Sequence, residues 1–113
     1  MTCAKLKNDG PIFFIRVLRV APETYDCLYA EICAFVRTDA PLLEGFVNAE
    51  VYGGEDATMI VLIAQWASRG HWSRAQWDDR LGRLLADVAV TAETVCCDLC
   101  DRRAFGAFVL AQS

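Results

Sequence analysis

The sequence lacks a long apolar run, an excess of basic residues and any low-complexity segment. Its longest uninterrupted apolar stretch, residues 59–64, is far shorter than the ~20 residues that a membrane-spanning helix needs. The 11 basic residues are outnumbered by 15 acidic ones, and a net charge of −4 does not favour nonspecific nucleic-acid binding, which depends on basic surface. We therefore expect no membrane span, and neither nucleic acid nor an anionic lipid surface as a partner.

Three sequence signatures of common enzymes are also absent. The chain contains no phosphate loop of the form G-x-x-x-x-G-K-[S/T], no nucleophile elbow G-x-S-x-G and no zinc motif H-E-x-x-H. Nucleotide hydrolysis, ordinary serine-esterase chemistry and zinc proteolysis therefore lack their residues. The glycine pair at positions 53 and 54 is typical of a hairpin turn rather than of a phosphate-binding loop.

The composition predicts one folded domain over residues 1–113, with an ordered core at about residues 11–104. Hydrophobic residues make up 55% of the chain, which is too apolar for a disordered protein. Arg16 and Arg19 interrupt the first apolar segment, so we expect no signal peptide, a cytoplasmic location and reduced thiols at the six cysteines. So high an apolar content in a small domain also favours an oligomer.

The apolar patterns predict six elements in the order strand, helix, strand, strand, helix, strand. The strand segments alternate or are continuously apolar, and the helical segments have apolar residues at three- and four-residue steps. The predicted strands span residues 11–20, 46–52, 58–66 and 94–101, and the predicted helices span residues 22–37 and 68–88.

This element order predicts the α+β class and a ferredoxin-like βαββαβ fold, a four-stranded antiparallel sheet with both helices on one face. Residues 58–66 are apolar on both faces, so the uncovered face of the sheet also needs a partner. Two sheets packed face to face about a two-fold axis would make a dimeric α/β barrel. Each subunit would keep a cavity between its sheet and its helices.

One segment resembles the antibiotic biosynthesis monooxygenase family. The resemblance rests on Ala64-Gln65-Trp66-Ala67-Ser68, followed by Trp72, together with Gly45-Phe46, and is best over about residues 45–72. It implies the dimeric α/β barrel, and an enzyme that oxidises polyketide-derived phenols and anthrones with O₂ without metal or flavin. The same pattern occurs in haem-degrading enzymes, quinol oxygenases, cyclases and isomerases, so it is more specific for the fold than for the chemistry.

The resemblance also implies candidate substrate-binding residues. Trp66 matches the family's pocket tryptophan, whose indole N–H can donate to a substrate oxygen, although a core aromatic would also fit there. Trp72 stands where an anthrone oxygenase has a tyrosine, and Leu62 stands where that enzyme has an asparagine, so two polar contacts are missing. Asn48 and Tyr52 share one strand face and would restore polarity if that face meets the cavity.

Two ionisable residues are further catalytic candidates. His71, the only histidine, has the side chain best suited to a general base, but its place in the first turn of a helix favours a surface position. Arg16 lies in an apolar strand and would stabilise a phenolate, enolate or carboxylate in the cavity, or else pair with an acid at the rim of the sheet. Arg80 and Arg83 lie among aspartates, which indicates a solvated helix face.

We predict no metal and no organic cofactor. Cys97 and Cys100 form a C-x-x-C pair beside Cys96, but strand residues three apart point to opposite faces, and no second pair completes four ligands. Haem is not expected either, because haem-degrading relatives need a histidine deeper in the second helix and residues 73–88 contain none.

The functional hypothesis is therefore a cofactor-independent, monooxygenase-like homodimer that oxidises a small aromatic or polyketide-type compound with O₂. Two alternatives remain: a cyclase or isomerase on the same fold, and a small-ligand binding protein that has lost its catalytic polar groups. The candidate catalytic residues are Trp66, His71 and Arg16, and the candidate substrate-binding residues are Trp72, Asn48, Tyr52 and Leu62.

Overall fold

The chain forms four strands and three α-helices over residues 10–100, the part that a computed structural model of the protein describes. A π-helical turn, Phe35–Asp39, and a 3₁₀ turn, Ala40–Leu42, follow the first helix. In chain order the elements are β1 (Ile12–Val20), α1 (Pro22–Ala34), β2 (Phe46–Gly53), β3 (Met59–Trp66), α2 (Arg69–Ala75), α3 (Asp79–Thr91) and β4 (Ala92–Cys100).

The four strands make one sheet in the order β2-β3-β1-β4, and every neighbouring pair is antiparallel. This strand order, with a helix following β1 and another preceding β4, is the ferredoxin-like arrangement. The predicted α+β class and βαββαβ order are confirmed. No helix within residues 10–100 has both the length and the apolar character needed to cross a membrane.

All three helices pack on the same face of the sheet. Because side chains alternate along a strand, β1 presents Leu18 and Val20 to one face, where they join Ile60 of β3 and helix residues in a buried cluster. A second cluster holds the other end of that face together, where Ala75 of α2 packs near Trp66. The helix residues of the first cluster are Leu28, Ile32, Leu84 and Val88.

The predicted helix over residues 68–88 is wrong in one respect: it is two helices separated at residues 76–78. Asp78 interrupts it, because its backbone is extended and its carboxylate accepts the N–H groups of Arg80, at 2.8 Å, and Leu81, at 3.4 Å. These bonds satisfy donors that the first turn of a helix leaves unpaired, so Asp78 starts a new helix. The sequence pattern Asp-Asp-Arg-Leu carried this signal.

Three other boundaries differ from the prediction by two or three residues. The helical segment predicted to end at residue 88 ends at Thr91. The α-helical part of the predicted helix 22–37 ends at Ala34 and continues as the π-helical turn. The last strand begins at Ala92 rather than at Thr94, and it includes an irregularity in its pairing with β1 between Val17 and Leu18. The predicted end of that strand at Asp101, and the predicted end of the ordered core at residue 104, lie outside the described residues.

Candidate active site

A cavity of ≈ 260 Å³ lies between the sheet and the helices. Its size is close to the lower end of ligand pockets, about 300–1,000 Å³. Phe35 and Val36 reach it from the π-helical turn, a distortion that is frequent at functional sites. Most described lining residues are apolar, and the side chains with polar atoms are those of Arg16, Trp66, Trp72, Gln76 and Cys97. The cavity predicted from the fold is therefore present.

Trp66 closes one end of this cavity from the last position of β3. The register places it beside Ile12 of β1 and Phe46 of β2, and the Phe46 ring packs edge-on against the indole at a centroid distance of 5.5 Å. The residue is only 5% exposed, and its Nε1 is buried without a hydrogen-bond partner among the described residues. Leaving a buried donor unpaired costs about 1–3 kcal/mol, so an acceptor on a ligand would be stabilised here.

Arg16 lies in the middle of β1 and faces the same cavity. Its Nη2 is 3.7 Å from the Cys97 Sγ, and the centre of its guanidinium is 5.7 Å from the centroid of the Phe14 ring. Its Nε is buried and has no partner among the described residues, and none of the described lining residues is acidic. The alternative that Arg16 pairs with an acid at the rim of the sheet therefore has no support within residues 10–100.

Trp72 and Leu62 form part of the apolar lining of the cavity. The Trp72 ring is tilted by 35° against the Phe14 ring at a centroid distance of 5.8 Å. Leu62 of β3 is paired with Arg16 of β1 in the sheet register, so the two side chains are neighbours on the cavity face. The Trp72 carbonyl accepts a hydrogen bond from the Gln76 Nε2 at 3.0 Å, which anchors one polar lining residue. Sequence reasoning did not select Gln76 as a site residue, although its four-residue spacing from Trp72 was a signal.

Asn48 and Tyr52 lie on the opposite face of the sheet, so they do not restore polarity to the cavity. They pair with Gln65 and Val61, whereas Ala49 lines the cavity one position along the strand. The register between β2 and β3 shifts between Phe46 and Asn48, and such a bulge reverses which side chains face which way. The Tyr52 hydroxyl donates to Glu50 at 2.8 Å, and this hydrogen bond raises the tyrosine pKa.

His71 is also outside the cavity. It lies in a shallow groove beside Glu44, with its Nε2 3.9 Å from the Glu44 carboxylate and its Nδ1 2.8 Å from the Ser68 hydroxyl oxygen. Its ring packs against Gly45, where a φ of 87° and the absence of a side chain allow the close approach. The candidate general base is therefore not placed to reach a ligand in the cavity.

Arg80, Cys97 and Cys100 lie at separate places in the part of the chain that the structure describes. The Arg80 guanidinium binds the Asp78 carboxylate at 2.9 Å, and this hydrogen bond lowers the pKa of Asp78 to about 2. Cys97 lines the cavity, whereas Cys100 pairs across from Phe13 and points to the other face of the sheet. Within residues 10–100, no group of three or more histidine, cysteine, aspartate or glutamate side chains is arranged to hold a metal ion.

Comparison with known proteins identifies the fold. A variant of SnoaB, a cofactor-independent oxygenase from Streptomyces nogalater, is 20% identical and has a TM-score of 0.67, with 83% of this chain and 94% of that chain covered. PA3566 from Pseudomonas aeruginosa is 20% identical with a TM-score of 0.71, and the coverage is 84% and 96%. A protein described as an antibiotic biosynthesis monooxygenase is 15% identical with a TM-score of 0.70, and the coverage is 80% and 96%.

Sequence comparison alone is less informative, since no protein-family model and no curated protein matches the chain. The structural likeness confirms, at the level of the fold, the resemblance that the sequence shows best over about residues 45–72. The chain has the fold of the antibiotic biosynthesis monooxygenases.

Proposed function

We propose that the protein is a cofactor-independent, monooxygenase-like enzyme that oxidises a small aromatic or polyketide-type compound with O₂ in this cavity. The observation that carries the proposal is the buried indole N–H of Trp66, which lines an apolar cavity and has no hydrogen-bond partner within residues 10–100. A hydrogen-bond donor in such a place orients a substrate oxygen and stabilises negative charge that develops on it. The description of SnoaB as a cofactor-independent oxygenase supports the same reaction class.

The chemistry in this proposal comes mainly from the substrate. An anthrone loses a proton from its ring CH₂ group, and the resulting carbanion shares its charge with the carbonyl oxygen, to which the Trp66 indole N–H donates. The carbanion gives one electron to O₂, the two radicals combine to form a C–O bond, and the peroxide anion takes up a proton. The hydroperoxide then loses water, as its O–O bond breaks and the second hydrogen leaves the carbon as a proton. The CH₂ group becomes C=O, so one atom of O₂ enters the product and the other leaves as water. The protein orients the substrate and excludes bulk solvent.

The proposal assigns no histidine as the base, because His71 lies outside the cavity. Substrates acidic enough to ionise in water do not need one. This reasoning restricts the proposed substrates to phenols, anthrones and related compounds that give a delocalised anion.

We also propose that two copies pack their sheets face to face as a homodimer. The face opposite the helices carries Val17, Val61 and Ile63, which are half-buried and belong to neither of the two buried clusters under the helices. An apolar sheet face of this kind is stabilised by a second apolar layer. Sedimentation at micromolar concentration should give the mass of two chains, and the mass of one chain would refute the dimer.

Oxygen consumption by metal-stripped protein tests the enzyme proposal. We expect uptake of O₂ and formation of quinone with at least one member of a panel of anthrones, hydroquinones and naphthols. Removing a single donor to a developing oxyanion costs about 10²–10³ in rate, so Trp66→Phe should lower turnover by that order. Trp77→Phe is the matched control, since Trp77 is 87% exposed and outside the cavity lining. Equal turnover in the two variants would refute the role of Trp66.

A binding protein without catalysis is the second candidate. The observation that favours it is the lack of a histidine or carboxylate among the described lining residues, so proton transfer has no evident protein group. Stoichiometric binding of a phenol or quinone, with no turnover in the presence or absence of O₂, would select this function. Turnover that persists without O₂ would instead select a cyclase or isomerase.

A further inference from the structure

We propose that Arg16 binds a carboxylate, and that the ligand is an elongated aromatic acid whose second oxygen lies at Trp66. This inference rests on the proposed function, because it assigns the substrate class of the same cavity. It concerns the end of the ligand that is remote from the reacting oxygen. Arg16 then selects the substrate by its charge, whereas Trp66 orients the reacting ring.

The first argument is that none of the described residues that line the cavity carries a charge opposite to that of Arg16. Its described neighbours in the cavity are a thiol at 3.7 Å and the face of the Phe14 ring at 5.7 Å, and its buried Nε has no described partner. Guanidinium groups at apolar sites are normally paired, because an unpaired charge is costly there. A ligand carboxylate supplies the missing charge and two oxygens that match the planar fork of donors.

The second argument is the separation of the two residues along the sheet. Trp66 pairs with Ile12 of β1, whereas Arg16 pairs with Leu62 of β3. The Cα positions of the two residues therefore stand four residues apart along the sheet, about 13 Å at a rise of about 3.3 Å per residue. We therefore expect a ligand with two separate oxygen groups, one for each residue.

The third argument is the contrast in solvent exposure between the two ends. Trp66 is 5% exposed, whereas Cys97, beside the guanidinium, is an exposed residue on the edge strand β4. Arg16 itself is half-buried and its Nε is buried, so a carboxylate there pairs with the guanidinium at the partly exposed side of the cavity and keeps part of its hydration. The uncharged oxygen and the rings enter the dry end. Charge and burial thus predict one orientation for the ligand.

Calorimetric titration with three probes tests the inference. The probes are 6-hydroxy-2-naphthoic acid, which carries both oxygen groups, 2-naphthol, which lacks the carboxylate, and 2-naphthoic acid, which lacks the hydroxyl. Arg16→Gln should weaken binding of both acids by roughly tenfold or more, the usual loss for a hydrogen bond to a charged group, and leave 2-naphthol unchanged. Arg83→Gln, on the exposed face of α3, is the matched control and should change none of the three.

Arg16→Lys keeps the charge without the fork of donors, and it should retain intermediate affinity for the acids. This second variant also keeps the test decisive if Arg16→Gln does not fold. The inference is overturned if the wild-type protein binds 2-naphthol as tightly as the hydroxy acid, or if the Arg16 variants weaken acid and naphthol equally.

The inference and the proposed function fail in different ways. Acid binding that depends on Arg16, without any consumption of O₂, supports the inference and refutes the oxygenase. Oxidation of neutral naphthols or anthrones that is insensitive to Arg16→Gln, with no preference for acids, supports the oxygenase and refutes the inference.

Discussion

Replacing Arg16 by methionine should stabilise the ligand-free protein while it removes acid binding. The substitution keeps an unbranched side chain of similar reach in the cavity and removes the guanidinium. In the wild type, the buried Nε loses its hydration on folding and gains no described hydrogen-bond partner in return. The methionine variant avoids this cost. A site arranged for a charged ligand is expected to be less stable when that ligand is absent.

The magnitude follows from two opposing contributions. Removing an unpaired buried donor recovers about 1–3 kcal/mol. Loss of the interaction between the guanidinium and the Phe14 ring, which are 5.7 Å apart, offsets about 0.5–1 kcal/mol of this. The contact with Cys97 is long, at 3.7 Å, and adds little. We therefore expect a net gain of about 1 kcal/mol, which corresponds to a rise in Tm of about 4 °C for a domain of this size.

Urea unfolding monitored by circular dichroism measures this change in the free energy of unfolding. An equal slope against urea concentration in variant and wild type would show that the two proteins expose the same surface on unfolding. Arg19→Met is the matched control on the same strand. Arg19 is exposed and binds Glu93 at 3.0 Å, so its loss should cost at most about 1 kcal/mol. A loss of more than 1 kcal/mol for Arg16→Met would show that the guanidinium is already satisfied in the free protein, and would refute the reasoning.

Three further predictions concern residues around the cavity. Gly45→Ala should destabilise the fold by at least about 1–2 kcal/mol in urea unfolding, because a left-handed backbone disfavours a side chain and the methyl group would overlap the His71 ring. His71→Asn should leave turnover within about twofold of the wild type, since His71 lies outside the cavity. Asp78→Asn should make the free energy of unfolding less dependent on pH in acid. In the folded protein the pKa of Asp78 is about 2, below the ordinary value of 3.8. The ionised carboxylate therefore stabilises the fold fully above about pH 4, and this contribution is lost as the pH falls towards 2.

Each of these predictions has its own control. Adding His71→Ala to the Gly45→Ala chain should recover the steric part of the loss but not the backbone part. A large fall in turnover for His71→Asn at unchanged stability would return His71 to the mechanism. For Asp78, an unfolding free energy that falls equally in variant and wild type between pH 4 and pH 2 would contradict the lowered pKa of Asp78.

Much of the fold could be predicted because its strands and helices have strong apolar patterns. Residues 58–66 are apolar on both faces, which indicated a central strand covered twice, and β3 is an inner strand of the sheet. The break in the second helix was missed because the apolar spacing runs across it. Only the capping geometry of Asp78 distinguishes two helices from one.

The candidate site was less predictable, because alternation along a strand groups side chains by face without saying which face the helices cover. Arg16 shares its face with Phe14 and Leu18, and the packing of the helices decides that this face is the cavity. The bulge after Phe46 then moves Asn48 to the other face, a shift that no periodicity in the sequence reveals. His71 is a local feature of a helix start, and its distance from the cavity is a tertiary property.

The measurement that tests the central claim most directly is turnover of an anthrone by metal-stripped protein under O₂ labelled with the heavy oxygen isotope. The account predicts one labelled oxygen atom in each quinone product, the other in water, and a rate that falls with Trp66→Phe but not with Trp77→Phe. An unlabelled product, or turnover that returns only when a metal or flavin is added, would contradict cofactor-independent oxygenation in this cavity.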